Sequence, residues 1–596
     1  MNVVLFFPPQ WHPGFPHLAT PLLAGSLLCR NYEVESCDLN VDFYNEHLTK
    51  DVLFSCINKA SNYIKETENK YNELKIKDKL KLSLEEKISI KKFETIKEYL
   101  DNGEKRTSKI INYIDEAVNV MKSDKFYDPQ IHYKAKIIIE HALDIVSLPY
   151  FPTKINTGRY YNPFFNLSYK DIIYQCNNKD INIFYEYFEN KLKNKYTDCN
   201  IFGISIASES QIVAALTLAK ILKKRANAKV ILGGSLITRI YETFLDHAEL
   251  FNEYCDYVLP DDGEERIVDL VDAIYHKKDF TSVSGLIYIN EDNKVIKNKK
   301  TKELIVENIK QPILKGLTLE KYFTPDMIML IQLSKGCYWG KCAFCSFSYK
   351  KDFSHRKIEN IIEEIKYYKD NFNIKYFRFT DDAIPPKFFN ELADAFIKEK
   401  LDIKYAVFCR FEEEFTLDLL RKMKQSGCEL IQWGLETSSK RLLKLLKKGT
   451  ENTDKELILK NSNSVGISNF LFLMYGLPTE TYNEALETVN FVKENWNNIM
   501  GYTLARFCLE KKSILIDNYK DYGIEEVYNN EEFLAHCTLT GDQMSYDELE
   551  KIKKTYQNCF AITQDNKYRL SSILLTDYIL LYILKYGKNH IKNYTI

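Results

Sequence analysis

Short apolar runs alternate with segments of helical periodicity in two parts of the first 300 residues. The apolar runs predict strands at Val3–Phe7, Glu33–Cys37, Ile201–Ile206, Lys229–Leu232 and Tyr257–Leu259. The amphipathic segments predict helices near Pro21–Cys29, Ser210–Arg225, Arg239–His247 and Glu264–Tyr275. Strands that alternate with helices are typical of a parallel, doubly wound sheet. Two further runs, Val283–Ile289 and Val295–Ile296, flank a polar turn and predict a hairpin.

A long helical stretch, roughly residues 45–195, separates the two parts of this series. Its segment Leu82–Lys122 is rich in Lys and Glu and carries apolar residues at helical spacing, which predicts a solvated helical insert. A lid or a partner-docking element is the alternative. Residues 148–168 are aromatic and punctuated by prolines, and they predict a wrapped loop.

A second alternating series follows and gives six strand–helix units. Its strands are predicted near Met327–Leu333, Lys375–Phe379, Tyr405–Phe408, Leu430–Gly434, Phe470–Met474 and Tyr502–Phe507. Its helices are predicted near residues 356–369, 386–399, 416–426, 438–447, 452–464 and 480–496. Six units predict an open barrel rather than a full eight-fold one, with its site on the loops after the strands.

These patterns divide the chain into four regions. We expect a first domain over 1–300, a linker over 301–325, a barrel over 326–510 and a helical region over 511–596. The long apolar run Leu570–Tyr586 contains an aspartate and predicts a buried or partner-facing helix rather than a membrane span.

Composition narrows the class of protein without identifying a partner. The 82 Lys and Arg balance 83 Asp and Glu, so nothing in the net charge of -1 demands nucleic acid or an anionic membrane. The 14 cysteines lack the spacing of a disulfide framework, which favours a reducing compartment. The segment Met1–Pro8 has no basic region ahead of its apolar residues and does not predict a signal peptide. We therefore expect a folded cytoplasmic protein.

Three cysteines follow the first strand of the second series. Cys337, Cys342 and Cys345 lie within nine residues, and thiolates at such spacing bind soft metals. A structural zinc normally takes four protein ligands. The next cysteine, Cys409, falls in another unit, and His355 falls in an intervening loop.

Three thiolates suit an iron–sulfur cluster with one open iron. Zinc and a redox-active pair, Cys342 with Cys345, remain alternatives. Gly336 and Gly340 allow the loop to wrap tightly.

The triplet resembles the motif of the radical S-adenosylmethionine (SAM) superfamily, Cys-x3-Cys-x2-Cys with an aromatic residue before the last cysteine. Phe344 takes the aromatic place, where the resemblance implies a contact with SAM, and the first gap here is four residues rather than three. The resemblance implies that Cys337, Cys342 and Cys345 ligate a [4Fe–4S] cluster. It also implies that the open iron chelates SAM, whose reductive cleavage yields a 5′-deoxyadenosyl radical.

Polar residues at the later strand ends match further SAM-binding positions of that superfamily. Asp381 or Asp382 after the second strand would meet the ammonium group of SAM, since a carboxylate beside a cation is favoured in a dry pocket. An N-cap or turn role is the alternative. Arg410 after the third strand would meet the carboxylate of SAM, or else pair with Glu412–Glu414.

The fourth and fifth strand ends complete this set. Glu436 resembles the family glutamate near the ribose, and the backbone at Gly476 would approach the adenine. The helix-start signals Thr479 and Glu480 explain part of the latter motif without a ligand.

The N-terminal series resembles the cobalamin-binding domains that are fused to radical enzymes. The resemblance is carried by Phe6–Gln10, Val34–Asn40, Gly203–Ile206, Leu232–Ser235 and Asp262–Glu265. Small residues at strand ends let a bulky ligand approach the sheet edge. The resemblance implies cobalamin contacts from Pro8, Pro9, Ser205, Gly233, Gly234, Ser235, Gly263 and Glu264.

The Asp-x-His-x-x-Gly signature that supplies a histidine to cobalt in other cobalamin proteins is absent. The resemblance then implies that cobalt is bound without that histidine, and a domain that binds no cobalamin is the alternative. His12 and His17, near the first strand end, are expected in surface or cap roles rather than as cobalt ligands.

The implied fold is α/β. It comprises a doubly wound Rossmann-like cobalamin-binding domain with a helical insert, a partial (β/α)6 radical SAM barrel and a helical C-terminal region.

The implied function is methylation of an unactivated carbon of a peptide or natural product, through the 5′-deoxyadenosyl radical and methylcobalamin. Alternatives are a radical rearrangement or cyclisation without methyl transfer, and a non-catalytic iron–sulfur sensor. Expected partners are a small-molecule or peptide substrate and an electron donor such as flavodoxin or ferredoxin, with no nucleic acid and no membrane span. The sequence does not select the residues that act on the substrate.

Overall fold

The computed structural model describes residues 2–301, 304–347, 352–541, 543–562 and 567–596. Within the predicted linker, Lys302 and Glu303 lie outside the described residues. Two compact units divide the chain. The first unit comprises Met1–Leu304, Lys310–Pro325 and Glu531–Leu534, and the second comprises Ile305–Ile309, Asp326–Asn530 and Ala535–Ile596.

The first unit is built on a seven-stranded sheet. The sheet contains β1 (Asn2–Phe7), β2 (Glu33–Asp38), β5 (Cys199–Ser205), β6 (Lys229–Gly233), β7 (Tyr257–Leu259), β8 (Ile287–Ile289) and β9 (Val295–Lys297). A separate antiparallel pair is formed by β3 (Lys154–Asn156) and β4 (Arg159–Tyr161). The order is β2-β1-β5-β6-β7-β8-β9. The first five strands are parallel and the last two antiparallel. This confirms the predicted doubly wound sheet and hairpin.

The strand order reverses between β1 and β5, so the edge beyond the carboxyl ends of these two strands is the topological switch point where open α/β sheets bind ligands. Residues Val3–Phe7 of β1 are all buried, as expected of a parallel strand covered on both faces. Val3 and Leu5 pack with Leu27, Ile201 and Leu270 in one apolar cluster.

Helices cover this sheet and form the insert. They are α1 (Ala19–Leu28), α2 (Leu39–His47), α3 (Lys50–Ile76), α4 (Leu84–Met121), α5 (Pro129–Ser147), α6 (Tyr169–Asn177), α7 (Tyr185–Leu192), α8 (Ile212–Lys223), α9 (Ser235–Ile240), α10 (Glu242–Asp246), α11 (Glu249–Glu253) and α12 (Arg266–His276). A capping box of Ser83 and Glu86 begins α4. The loop predicted at 148–168 contains the β3–β4 hairpin instead, since Gly158 at φ +82° permits its turn.

The second unit is built on a six-stranded parallel sheet. The strands of this unit are β10 (Ile328–Ile331), β11 (Ser334–Lys335), β12 (Ser354–His355), β13 (Tyr376–Phe379), β14 (Lys404–Cys409), β15 (Cys428–Glu436), β16 (Ser468–Tyr475), β17 (Gly501–Arg506), β18 (Leu509–Glu510), β19 (Ile524–Tyr528) and β20 (His536–Gly541). The main sheet has the order β10-β13-β14-β15-β16-β17, with β10 and β17 as its edges in the described residues. The predicted open barrel of six units is confirmed.

Helices follow the strands of the barrel and continue to the C-terminus. They are α13 (Ile358–Phe372), α14 (Pro386–Glu399), α15 (Leu417–Gln425), α16 (Lys440–Leu445), α17 (Lys455–Ser464), α18 (Tyr482–Glu494), α19 (Ile514–Asp517), α20 (Tyr546–Tyr556), α21 (Leu570–Ile573), α22 (Thr576–Tyr586) and α23 (Lys588–Asn593). The apolar run predicted as a buried helix forms α21 and α22, and Asp577 pairs with Arg378 of β13. None of the helices in the described ranges combines the length and apolar character that a bilayer crossing requires.

The C-terminal region also contains a small antiparallel sheet, β18-β20-β19, which the sequence analysis did not predict. Its strands are short and alternate polar with apolar residues, so they are too weak a pattern to distinguish from loops. Leu509, Ile524 and Cys537 of this sheet pack in one cluster with Ala343 of the cysteine loop.

Candidate active site

The cysteine loop begins where β10 ends, and a buried carboxylate fixes its first residues. Asp381, two residues beyond β13, accepts the Leu333 N–H at both carboxylate oxygens, at 2.9 and 3.1 Å. The Ser334 hydroxyl donates to the same carboxylate at 2.8 Å. Asp381 is 5% exposed, and burial raises its pKa to about 7. Its side chain therefore positions the loop that carries the cysteines, whereas the neighbouring Asp382 is exposed.

Arg410, the residue after β14, contacts the loop directly. Its Nη1 lies 3.7 Å from the Cys342 Sγ, and its guanidinium carbon lies 4.5 Å from the centre of the Trp339 ring. Its Nε donates to Glu412 at 2.9 Å and its Nη2 to the Lys448 carbonyl at 2.8 Å. The guanidinium thus joins a cysteine, an aromatic ring and a second loop, and it also forms the ion pair with Glu412 that was the alternative role.

The segment after α16 clamps the cysteine loop through its backbone. The Ala343 N–H donates to the Leu446 carbonyl at 2.9 Å, and the Trp339 indole N–H donates to the Lys447 carbonyl at 2.8 Å. The Trp339 ring covers Gly449, where a Cβ would lie 2.1 Å from a ring atom. Only glycine allows this approach, so the loop is held from two sides.

Lys448 forms a buried ion pair with Glu436 at the end of β15. The Nζ–Oε1 distance is 2.7 Å, and the two side chains are 7% and 12% exposed. The pair lies over Gly434, where a Cβ would be 2.9 Å from the Glu436 Oε1 and 3.0 Å from the Lys448 Nζ. Sequence reasoning missed Lys448, because Lys-Lys-Gly-Thr after a helix is an ordinary C-terminal signal. The small residue Gly434 near Glu436 was the one sequence feature that pointed to a close neighbour at this strand end.

The charges around Cys342 oppose the effect of its burial. Burial raises the pKa of the Cys342 thiol, and the cations of Lys448 and Arg410 lower it. Burial also lowers the pKa of Lys448, but Glu436 and Cys342 more than offset this, so the pKa of Lys448 is raised. Lys448 therefore remains charged, and its Nζ lies 5.8 Å from the centre of the Phe344 ring in the cysteine loop.

The donor set of the loop fits an iron–sulfur cluster. Gly336 and Gly340 adopt φ values of +71° and +62° and fold the loop, and the Cys345 N–H donates to the Cys342 carbonyl at 3.3 Å. Three thiols on one tight loop beside two cations suit an anionic cluster. In the described parts of the chain no three His, Cys, Asp or Glu side chains are arranged around a single metal ion. That observation concerns a single ion, since a cluster holds its ligands on separate iron atoms.

Gly476 follows β16 at φ +71°, and its N–H donates to the Glu480 Oε2 at 2.6 Å. The Leu477 N–H donates to the same oxygen at 3.1 Å. Burial raises the pKa of Glu480 to about 7. Leu477 packs in the cluster that contains Ala343 and that Phe344 adjoins. Of the predicted SAM contacts, Phe344, Asp381, Arg410 and Glu436 thus lie around the cysteine loop, and Gly476 reaches it through Leu477.

The predicted cobalamin contacts lie at the carboxyl ends of four parallel strands. Pro8 and Pro9 follow β1, Ser205 ends β5, Gly233–Ser235 end β6 and begin α9, and Gly263 and Glu264 lie between β7 and α12. They flank the switch point on both sides. Small residues at this edge fit a bulky planar ligand.

Internal packing also explains several of these residues. Gly234 has a φ of +106°, and a Cβ there would lie 2.5 Å from the Ile206 carbonyl oxygen. The Ser235 hydroxyl donates to the Ala207 carbonyl at 3.1 Å, and Gln211 donates to the Pro8 carbonyl at 2.7 Å.

Both histidines near β1 serve local turns. The His17 Nδ1 accepts the Ala19 N–H at 3.2 Å, where α1 begins, and the His12 Nδ1 accepts the Gly14 N–H at 3.0 Å. Burial lowers the pKa of His17 to about 4 and that of His12 to about 3. Both imidazoles are therefore neutral at physiological pH.

Comparison with known proteins places the cysteine loop in a recognised domain. Residues 331–492 match the Radical SAM superfamily model. An uncharacterized methyltransferase of Pyrococcus horikoshii is 28% identical over 319 residues, which cover 52% of this chain and 68% of that protein. An anaerobic magnesium-protoporphyrin IX monomethyl ester cyclase of Synechocystis is 22% identical over 285 residues, which cover 44% of this chain and 53% of the cyclase.

One solved structure matches almost the whole chain. It is the radical S-adenosylmethionine methyltransferase TsrM from Kitasatospora setae, with cobalamin and a [4Fe–4S] cluster bound. The TM-score is 0.56 at 14% identity, and the match covers 99% of this chain and 97% of TsrM. At that identity the likeness shows a shared fold.

Proposed function

We propose that this radical SAM protein, whose domain of that superfamily spans residues 331–492, is a cobalamin-dependent methyltransferase. It would act on an unactivated carbon of a peptide or natural-product substrate. The observation that carries the proposal is the cysteine loop at the carboxyl end of the six-stranded sheet, which Asp381 and Arg410 hold in place.

In the second unit, Cys337, Cys342 and Cys345 would hold a [4Fe–4S] cluster. With SAM bound, such a cluster supplies the electron that cleaves the sulfonium and yields a 5′-deoxyadenosyl radical. Asp381 fixes the start of the cysteine loop. Arg410 and Lys448 offset the negative charge of the thiolates. Phe344 in the cysteine loop and Asp382, Glu436 and Gly476 at the strand ends are our candidates for contacts with SAM.

In the first unit, the edge at the β1/β5 switch point would hold cobalamin as the methyl carrier. The supporting observations are the strand order, the small residues at that edge and the whole-chain fold match to TsrM. We assign residues 1–300 to cobalamin binding, with 45–195 as an insert, 301–325 as a linker, 326–510 to radical formation and 511–596 as the C-terminal region. Neither His12 nor His17 is assigned to cobalt.

The proposal includes a cellular setting. We place the enzyme in the cytoplasm, with a small-molecule or peptide substrate and an electron donor such as flavodoxin or ferredoxin. The balanced composition supports the absence of a nucleic-acid partner.

Radical cyclisation or rearrangement is a second candidate function, and the similarity to the Synechocystis cyclase favours it. The two functions differ in their products. Methyl transfer consumes SAM in two ways and yields 5′-deoxyadenosine together with S-adenosylhomocysteine. Cyclisation yields 5′-deoxyadenosine alone, and an iron–sulfur sensor yields neither product.

The test is anaerobic reconstitution with iron, sulfide and hydroxocobalamin, followed by analysis of the products formed from SAM and a reductant. We expect both products from the wild-type chain. Replacing Cys337, Cys342 and Cys345 together with Ala should abolish 5′-deoxyadenosine, whereas Cys29→Ala, an exposed thiol on the first unit, should not. Cleavage retained in the triple variant would refute the cluster assignment.

A further inference from the structure

We propose that Arg410 and Lys448 form a buried cationic pair that raises the reduction potential of the cluster from the Cys342 side. The proposal rests on the cluster assignment made above. It adds Lys448 to the site as a positioning and charge-setting residue, and it gives Arg410 a role that is independent of SAM.

The two cations approach the cysteine loop from different elements. Arg410 follows β14 and lies 3.7 Å from the Cys342 Sγ through Nη1. Lys448 follows α16, and its carbonyl accepts Arg410 Nη2 at 2.8 Å. Its Nζ lies 5.8 Å from the centre of the ring of Phe344, the residue before the last cysteine. The geometry therefore brings both positive charges to one side of the loop.

Burial makes these charges effective. Arg410 and Lys448 are both buried, so water and salt screen their charges little. Reduction adds one negative charge to a cluster, and a nearby unscreened cation stabilises the reduced state. Net charge and hydrogen bonds to the sulfurs are the means by which proteins set cluster potentials. Arg410 supplies both, since its Nη1 is a hydrogen-bond donor to sulfur.

The carboxylates of Glu412 and Glu436 oppose this effect, so the sign has to be decided. Glu412 pairs with the Nε of Arg410, at the side of the guanidinium away from the contact between Nη1 and Cys342. Arg410 Nη1 donates directly to the Cys342 Sγ at 3.7 Å, whereas Glu436 is engaged by the Lys448 Nζ at 2.7 Å. The net effect is positive, so the cluster is easier to reduce than it would be without the pair.

The Lys448–Glu436 pair also uses the open space over Gly434. The Lys448–Glu436 pair occupies the space over its Cα, and a Cβ would meet both partners within 3.0 Å. The glycine therefore keeps Lys448 close to the cysteine loop. A larger residue at 434 would displace the ion pair.

The test is an anaerobic redox titration of the reconstituted full-length protein, followed by electron paramagnetic resonance without SAM or substrate. Lys448→Met and Arg410→Gln should each shift the midpoint potential to a more negative value than that of the wild type. Glu436→Gln removes the opposing carboxylate and should shift it to a more positive value. Lys444→Met, which removes an exposed lysine of α16, should leave the midpoint unchanged.

The test is decisive because the cation variants and the Glu436 variant should shift the midpoint potential in opposite directions. If Lys448→Met binds too little iron to titrate, Glu436→Gln still reports on the pair. An unchanged midpoint in Glu436→Gln, or a shift in the same direction as Arg410→Gln, overturns the proposal. A wild-type chain that assembles no cluster refutes the proposed function instead, so the two failures are distinguishable.

Discussion

At the scale of single residues, Glu480 is the buried carboxylate whose contribution is easiest to isolate. Its Oε2 accepts the N–H groups of Gly476 and Leu477, and its Oε1 has no hydrogen-bond partner among the described residues. Glu480→Ala leaves two buried donors unpaired at about 1–3 kcal/mol each. We therefore expect the free energy of unfolding to fall by about 2–6 kcal/mol. Glu480→Gln keeps one acceptor and should cost less than half as much. Urea unfolding, with hydrogen exchange of the peptide that contains Gly476, measures both.

The contribution of Glu480 to the free energy of unfolding should decrease as the pH rises. Burial raises the pKa of Glu480 to about 7 in the folded chain, above its ordinary value of 4.5. The folded state therefore binds the proton more tightly. The stabilisation that comes from protonation of Glu480 is complete below about pH 4.5 and is lost as the pH rises through about 7. At about 1.4 kcal/mol per pKa unit, the loss amounts to roughly 3 kcal/mol.

Glu480→Gln should remove this part of the slope when stability is measured from pH 5 to 8. Asp381, whose pKa burial also raises to about 7, contributes a slope of the same sign that should persist in the variant. A wild-type protein whose stability rises over that range relative to Glu480→Gln would contradict the assignment.

Asp381 and Asp382 are adjacent, and the structure predicts different roles for them. Asp381→Ala removes the acceptor for Leu333 and Ser334, so we expect a several-fold loss of iron per chain after reconstitution. Asp381→Asn keeps one acceptor oxygen and should retain most of the iron. Asp382→Ala should bind iron like the wild type but bind SAM more weakly. Iron analysis and equilibrium dialysis of SAM measure the two effects, and equal iron loss in both alanine variants would contradict the distinction.

The candidate residues of the site could be selected from the sequence, whereas the residues that hold them in place could not. Three cysteines at short spacing and polar residues at strand ends are local patterns, so Cys337, Arg410 and Glu436 could be selected without a structure. Lys448 could not, because its contact with Glu436 depends on how the segment after α16 returns over Gly434. The anchoring role of Asp381 likewise depends on the parallel pairing of β10 with β13.

At the scale of elements, the turn from β6 into α9 offers a test with a matched control. Gly234 has a φ of +106°, and a Cβ there would lie 2.5 Å from the Ile206 carbonyl oxygen, a backbone atom that cannot move aside. Gly234→Ala should destabilise the first unit by about 1–3 kcal/mol or more and, under the proposed assignment, weaken the binding of cobalamin. At Gly233 a Cβ would meet only the Leu259 carbonyl oxygen, at 3.2 Å, so Gly233→Ala should be the milder change.

Cobalamin absorbance retained after gel filtration, together with urea unfolding, compares the two alanine variants. Equal loss in both would show that the backbone conformation at 234 is not the cause.

Elements with a strong pattern of apolar residues could be predicted from the sequence, whereas elements with a weak pattern could not. The parallel strands are continuous apolar runs, and β5 and β15 were located within a few residues of their observed bounds. The sheet β18-β20-β19 was missed, because its stability comes from packing against Ala343 and Leu446 rather than from its own pattern.

At the scale of the whole molecule, the division into units depends on contacts that no local pattern reveals. Residues Glu531–Leu534 belong to the first unit although barrel residues precede them in sequence. Glu531 accepts the Leu167 N–H at 2.8 Å, and the Glu532 carbonyl accepts the Thr243 hydroxyl at 2.8 Å. These partners are separated by hundreds of residues, so the sequence boundary at 511 could not include them.

Because each unit has its own apolar core, the two proposed cofactor sites should fail independently. The variant that lacks Cys337, Cys342 and Cys345 should bind as much cobalamin as the wild type but form no 5′-deoxyadenosine. Gly234→Ala should show the reverse: normal iron content and cleavage of SAM, but no methyl transfer. Cobalamin absorbance, iron analysis and product quantification on the same preparations measure this double dissociation. Loss of both cofactors in either variant would mean that the units do not fold independently, and would contradict the assignment of one cofactor to each core.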